Sequence, residues 1–95
     1  MEKVEILAVG KHPEIMKTVL RLINSKPEWN GTIANSTDEA VALSQNTAFN
    51  VVLLCAGLDE VEAQQIKALF KIPVVQHYGG GSGLLFAEIY QALDN

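Results

Sequence analysis

Cysteine occurs once in these 95 residues, which excludes an intramolecular disulfide and any cysteine-rich metal framework. Basic residues are also few: seven Lys and Arg stand against eleven Asp and Glu, a formal net charge of −4. Nucleic-acid binding draws on Lys and Arg clustered on one face to neutralise phosphates. Here they are scattered among acids, so no nucleic-acid partner is expected. No apolar run approaches the ~20 residues of a membrane-crossing helix, so no membrane partner is expected either. Met1-Glu2-Lys3-Val4 leads straight into a strand pattern without signal-peptide architecture, and the expected location is cytoplasmic. Linkers, repeats and low-complexity stretches are missing, and the length falls just below the ~100–150 residues of a common domain. Residues 1–95 therefore read as one domain. What is present is 48% hydrophobic and 19% charged, a balance that can fill one core and leaves no case for disorder.

Strand and helix patterns alternate along the chain. Val4-Glu5-Ile6-Leu7-Ala8-Val9 is an apolar run closed by Gly10, the pattern of a strand buried on both faces. Pro13 stands where a first helical turn accepts proline. Ile15, Met16, Val19, Leu20, Leu22 and Ile23 follow at helical spacing until Asn24, Ser25 and Pro27 end the helix. Trp29-Asn30-Gly31 reads as a turn, and Thr32-Ile33-Ala34-Asn35 as a short strand. Ser36-Thr37-Asp38-Glu39 is a capping box, with Ser36 capping and Glu39 reaching back. It opens a helix carrying Ala40, Val41, Leu43 and Ala48 and closing at Phe49-Asn50. Val51-Val52-Leu53-Leu54-Cys55 is the most apolar run and reads as the central strand. Asp59 caps a third helix, about Glu60 to Phe70. Lys71 and Pro73 end it and lead into a fourth strand, Val74-Val75-Gln76-His77. The loop Tyr78-Gly79-Gly80-Gly81 precedes a last helix from Ser82 or Gly83 to Leu93. Four strand–helix units with short connections predict right-handed crossovers and helices on both faces of a parallel sheet. The expected fold is an α/β three-layer sandwich with a four-stranded parallel sheet.

Three stretches resemble the receiver domain of two-component response regulators. They are Ile6-Leu7-Ala8-Val9-Gly10-Lys11-His12-Pro13, the helix start Ser36-Thr37-Asp38-Glu39-Ala40, and Asn50-Val51-Val52-Leu53-Leu54-Cys55. The resemblance covers roughly residues 4–76 and implies a flavodoxin-like sheet of order 2-1-3-4. It also implies three carboxylates that this chain lacks. In a receiver, two acids after the first strand hold Mg²⁺ and one at the end of the third strand accepts the phosphoryl group. A hard cation wants oxygen ligands, and the nucleophile must be a carboxylate. Those positions hold Gly10, Lys11 and Cys55, while Asp59 lies beyond them in the following loop. Phosphorylation on aspartate is therefore not expected. A receiver has five strand–helix units. Ile72-Pro73-Val74-Val75 resembles its fourth strand and Leu84 to Leu93 its last helix, so one unit is missing between them.

Ligands of open α/β sheets bind at the carboxyl ends of the strands. Lys11, Cys55 and His77 are expected towards that rim. Gly79, Gly80, Gly81 and Ser82 would offer backbone N–H groups to an anion at the positive end of the last helix, and Lys11 would add charge. The run matches neither G-x-x-x-x-G-K-[ST] nor a G-x-G-x-x-G after the first strand, and the plainer reading is a loop bridging the missing unit. Cys55 and His77 have the composition of a thiolate–imidazole pair, but no third, orienting group is evident. A buried structural cysteine is the plainer reading. Zinc held by His12, Cys55 and His77 would lack any motif spacing. Neither catalysis, a metal nor a cofactor is expected. Trp29 reads either as an exposed contact or as a cover on the end of the first helix.

In the order 2-1-3-4 the fourth strand is a sheet edge, with no charged residue between Lys71 and His77. Exposed apolar edges pair with other chains. Leu84, Leu85, Phe86, Ile89, Tyr90 and Leu93 also give the last helix a broad apolar surface. A homodimer is expected through Val74, Val75, Leu85, Phe86, Ile89 and Tyr90. The plainer reading is that the helix simply covers the sheet. The function expected is a non-catalytic interaction or signalling module with an unnamed protein partner. The alternative is a small-molecule or anion-binding domain using residues 79–83 and Lys11.

Overall fold

A computed structural model describes residues 3–77 and 82–94. Among them, strands β1 (Val4–Val9), β2 (Trp29–Ala34), β3 (Val51–Leu54) and β4 (Val74–Gln76) alternate with helices α1 (Pro13–Asn24), α2 (Thr37–Ser44), α3 (Glu60–Leu69) and α4 (Ser82–Leu93). All pairings are parallel, in the order β2-β1-β3-β4. The expected sheet is therefore present, with β4 at one edge.

The two central strands explain the layers. Ile6 to Val9 and Val51 to Leu54 are all fully buried, because successive side chains point to opposite faces and each face is roofed by helices. On one face Ile6, Ala8, Leu53 and Cys55 meet Met16, Val19 and Ile23 of α1 and Leu85 and Ile89 of α4. On the other, Leu7, Val9, Val52 and Leu54 meet Ala40 of α2, Phe49, and Ile66 of α3.

The helix starts follow their cap residues. Ser36 Oγ accepts from the Glu39 amide at 3.1 Å. The Glu39 carboxylate reaches one residue further back than the motif implies, to the Asn35 amide at 3.0 Å. At α3 the reciprocal box is complete: Asp59 Oδ1 accepts from the Glu62 amide at 2.8 Å, and Glu62 Oε1 accepts from the Asp59 amide at 3.3 Å. His12 caps α1, its Nδ1 accepting from the Ile15 amide.

Trp29-Asn30-Gly31 is strand, not turn. The turn lies earlier, at residues 25–28. Trp29 opens β2 opposite Val4 and is buried, its ring 5.8 Å from that of Phe86 and 5.0 Å from that of Tyr90. Gly31 serves close packing instead of a turn: a Cβ there would lie 2.9 Å from Ile23 Cγ2. Trp29 is thus a core residue covered by α4.

The expected dimer surface is altered in the same way. Leu85 and Ile89 are fully buried inside this chain, because α4 completes the layer that α1 begins on that face of the sheet. Phe86 is half-buried against the Trp29 side of that core. Of the six residues, Tyr90 is exposed, and Val74 and Val75 are half-buried on β4.

Candidate functional site at the carboxyl rim

At the rim the backbone of β1 continues to bond to its neighbours. The Gly10 amide donates to Ala34 O at 3.0 Å, the Cys55 amide to Val9 O at 2.8 Å, and the Lys11 amide to Ala56 O at 3.0 Å. These bonds draw the loops after β1 and β3 together. A Cβ on Gly10 would lie 2.6 Å from Met16 Sδ and 3.0 Å from both Ala56 O and Cys55 Cβ. Gly57 adopts φ +95°, and a Cβ there would meet Lys11 Cβ at 2.9 Å. That left-handed backbone favours glycine. The rim beside β1 is therefore packed shut.

Lys11 extends over this packing to α3. Its Nζ lies 2.7 Å from both carboxylate oxygens of Glu62, the residue that also completes the α3 capping box. The hydrogen bond to Glu62 raises the Lys11 pKa above its ordinary value against the opposing effect of desolvation, and the charges of Glu62 and Asp59 add to the rise. One carboxylate thus ties the end of β1 to the start of α3.

Cys55 and His77 turn the other way. Each follows a paired residue on neighbouring strands, Leu54 and Gln76. Cys55 belongs to the core shared with α1 and α4, and His77 meets α4, its Nδ1 2.5 Å from Glu88 Oε1. Burial pushes the Cys55 thiol up to about 12, with the Glu88 charge adding to the effect. It stays protonated at neutral pH and is no nucleophile. Among the described residues no hydrogen bond joins Cys55 to His77. The orienting carboxylate that a thiolate–imidazole site requires is present in Glu88, but the thiol makes no hydrogen bond to the imidazole it would orient.

Lys11 thus works on the α3 side of the sheet while Cys55 and His77 face α1 and α4, and the three do not form one site. Ser82 is the exposed first residue of α4. Gly79, Gly80 and Gly81 lie outside the described residues. Among the described residues no three His, Cys, Asp or Glu side chains are grouped to share a metal ion, and no helix is long and apolar enough to cross a membrane.

Two charged partners of the rim residues, Glu62 and Glu88, were not singled out by the sequence. Glu62 had a usable signal, standing three residues after the cap Asp59. Glu88 had one too: it is the sole charge between Ser82 and Leu93, three residues after Leu85, beside the buried stripe Leu85, Ile89 and Ala92.

No protein-family profile and no curated protein matches this chain. Solved structures share its fold. The N-terminal domain of a response regulator/sensory box/GGDEF 3-domain protein from Carboxydothermus hydrogenoformans superposes with a TM-score of 0.75 at 20% identity, over 95% of this chain and 94% of that one. A CheY-like response regulator receiver domain from Methanospirillum hungatei JF-1 gives 0.73 at 15% identity, over 98% and 95%. The Vibrio cholerae chemotaxis protein CheY4 gives 0.70 at 14% identity, over 96% and 99%. The chain has the flavodoxin-like fold of CheY-like receiver domains.

Proposed function

We propose that this chain is a non-catalytic interaction or signalling module on a receiver fold that takes no phosphoryl group on aspartate. The observation that carries this reading is the filled rim. Where a receiver's acids would stand, Gly10 has no room for a side chain against Met16 and Cys55. Lys11 brings an ammonium already neutralised by Glu62, and Cys55 offers a buried, protonated thiol. A divalent cation finds no oxygen donor on those three side chains.

The test is incubation of the intact protein with acetyl phosphate and Mg²⁺, followed by intact-mass measurement. An unchanged mass is expected. A stable phosphoryl adduct overturns the reading.

The partner most consistent with the surface is a second copy. β4 is bonded to β3 on one side and stands at the sheet edge, and Val74 and Val75 are only half-buried there. Phe86 and Tyr90 of α4 lean instead on Trp29 of β2, so the reading rests on the β4 edge itself. Unpaired apolar edges attract a further strand. Sedimentation at high micromolar concentration tests this; a monomer there removes it. The anion-binding alternative loses the charge it relied on, because Glu62 holds Lys11.

A further inference from the structure

We propose that the groove between α1 and α4 binds a small, uncharged, largely apolar molecule that makes one hydrogen bond to His77. The proposal stands independently of the signalling reading. The groove has a volume of about 310 Å³, at the small end of the ~300–1,000 Å³ range of ligand sites. Ile15, Val19 and Leu22 of α1 form one wall and Leu85 of α4 the other. Apolar cavities of about 150 Å³ already admit benzene, so one substituted aromatic ring fits this space.

The polar end selects the ligand. His77, which lines the groove, is the one polar or charged side chain in the buried class among the described residues, at 8% exposure. A buried imidazole is costly unless it is hydrogen-bonded. Glu88 satisfies one nitrogen, Nδ1, at 2.5 Å. Among the described residues the other ring nitrogen, Nε2, has no hydrogen-bond partner. A carboxylate behind the ring also fixes its orientation, as it does for histidines that present Nε2 to a metal or substrate. The matching ligand group is a hydroxyl, which can either donate or accept.

Charge narrows the class further. Glu14 lines the groove and Glu88 stands behind His77, whereas among the described residues no Lys or Arg lines it. An anion would meet two carboxylates and no cation. A cation would have to leave water for apolar walls and meet only the solvent-exposed Glu14, Glu88 being already engaged by His77. An uncharged molecule avoids both penalties.

The test uses the full chain labelled with ¹⁵N and three probes built on one ethylbenzene frame: para-ethylphenol, ethylbenzene and para-ethylbenzoate. Saturable amide shifts are expected with para-ethylphenol at Ile15, Thr18, Val19, Leu22, His77 and Leu85. Ethylbenzene, which lacks the hydroxyl, should bind at least tenfold more weakly, and para-ethylbenzoate should leave the groove signals unmoved. Thr18→Trp places an indole into the groove from an exposed position and should abolish the shifts. If that variant's spectrum shows it unfolded, Ile15→Trp on the same wall replaces it. Absence of saturable shifts with para-ethylphenol overturns the proposal. So does equal binding of ethylbenzene, which would mean an apolar surface without a His77 anchor. Shifts that survive in the folded tryptophan variant overturn it as well.

Discussion

Gly10 faces the thioether of Met16 so closely that a β-carbon on the glycine would stand 2.6 Å from Met16 Sδ. The methionine end can yield, but Ala56 O and Cys55 Cβ, at 3.0 Å, are held in or next to the backbone. Gly10→Asp should therefore destabilise the domain by about 1–3 kcal/mol, the range for overpacking a filled site. At roughly 4–8 °C per kcal/mol for a domain of this size, the loss is readable in a thermal melt. A melting temperature equal to that of the parent protein would show that the rim is looser than its geometry implies.

Glu62 serves both Lys11 and the α3 cap, and two substitutions separate these roles. Asp59→Ala removes the cap and should cost about 1 kcal/mol in urea unfolding. Glu62→Gln keeps a side-chain oxygen for the Asp59 amide but removes the charge. The raised Lys11 pKa should then fall back towards its ordinary value, as followed by NMR titration of the ammonium. The sign is set by the hydrogen bond: it favours the charged amine, so its stabilisation persists through neutral pH and is lost as pH climbs past the raised value. A Lys11 titration identical in parent and Glu62→Gln would contradict the contact.

Cys55 should react slowly with a thiol reagent in the native state and rapidly in denaturant, because modification requires both exposure and deprotonation. Its thiol titrates at about 12 in the fold against an ordinary value of 9.0. Unfolding releases the proton more easily, so this contribution to stability is complete below about pH 9 and declines as pH rises towards 12. Comparing urea midpoints at about pH 8 and about pH 10.5, the parent should lose more stability than Cys55→Val. Equal losses in the two proteins would place the thiol in water.

Trp29 is the only tryptophan and is 2% exposed. Its native emission should be blue-shifted and should move to the red on unfolding. Trp29→Ala should cost about 3–5 kcal/mol, as for other large buried aromatics. Native emission at the wavelength of a solvated indole would refute its burial.

Trp29 also marks where local reading stops. β1 and β3 were legible because strands covered on both faces are apolar at every position, a property visible in Ile6 to Val9 and Val51 to Leu54 alone. Asn30-Gly31 carries turn chemistry, and what makes it strand is remote: the register against Val4 and Glu5, Ile23 pressing on Gly31, and Phe86 and Tyr90 covering the indole. The rim shows the same division. The order of the strands placed Lys11, Cys55 and His77 at their carboxyl ends. The direction of each side chain then depended on Glu62, 51 residues from Lys11, and Glu88, 11 residues from His77. Those partners sent Lys11 to one face and the histidine to the other.

The placement of Leu85 and Ile89 in the same buried layer as Ile6 and Ala8 has a meaning for biosynthesis. The ribosome makes the first strand long before the helix that roofs it. Until α4 emerges from the exit tunnel, one face of the nascent sheet has only α1 to shield it, and exposed apolar surface of that kind invites chaperones and aggregation. The vulnerable interval in the life of this domain closes when its last helix docks, beside Trp29.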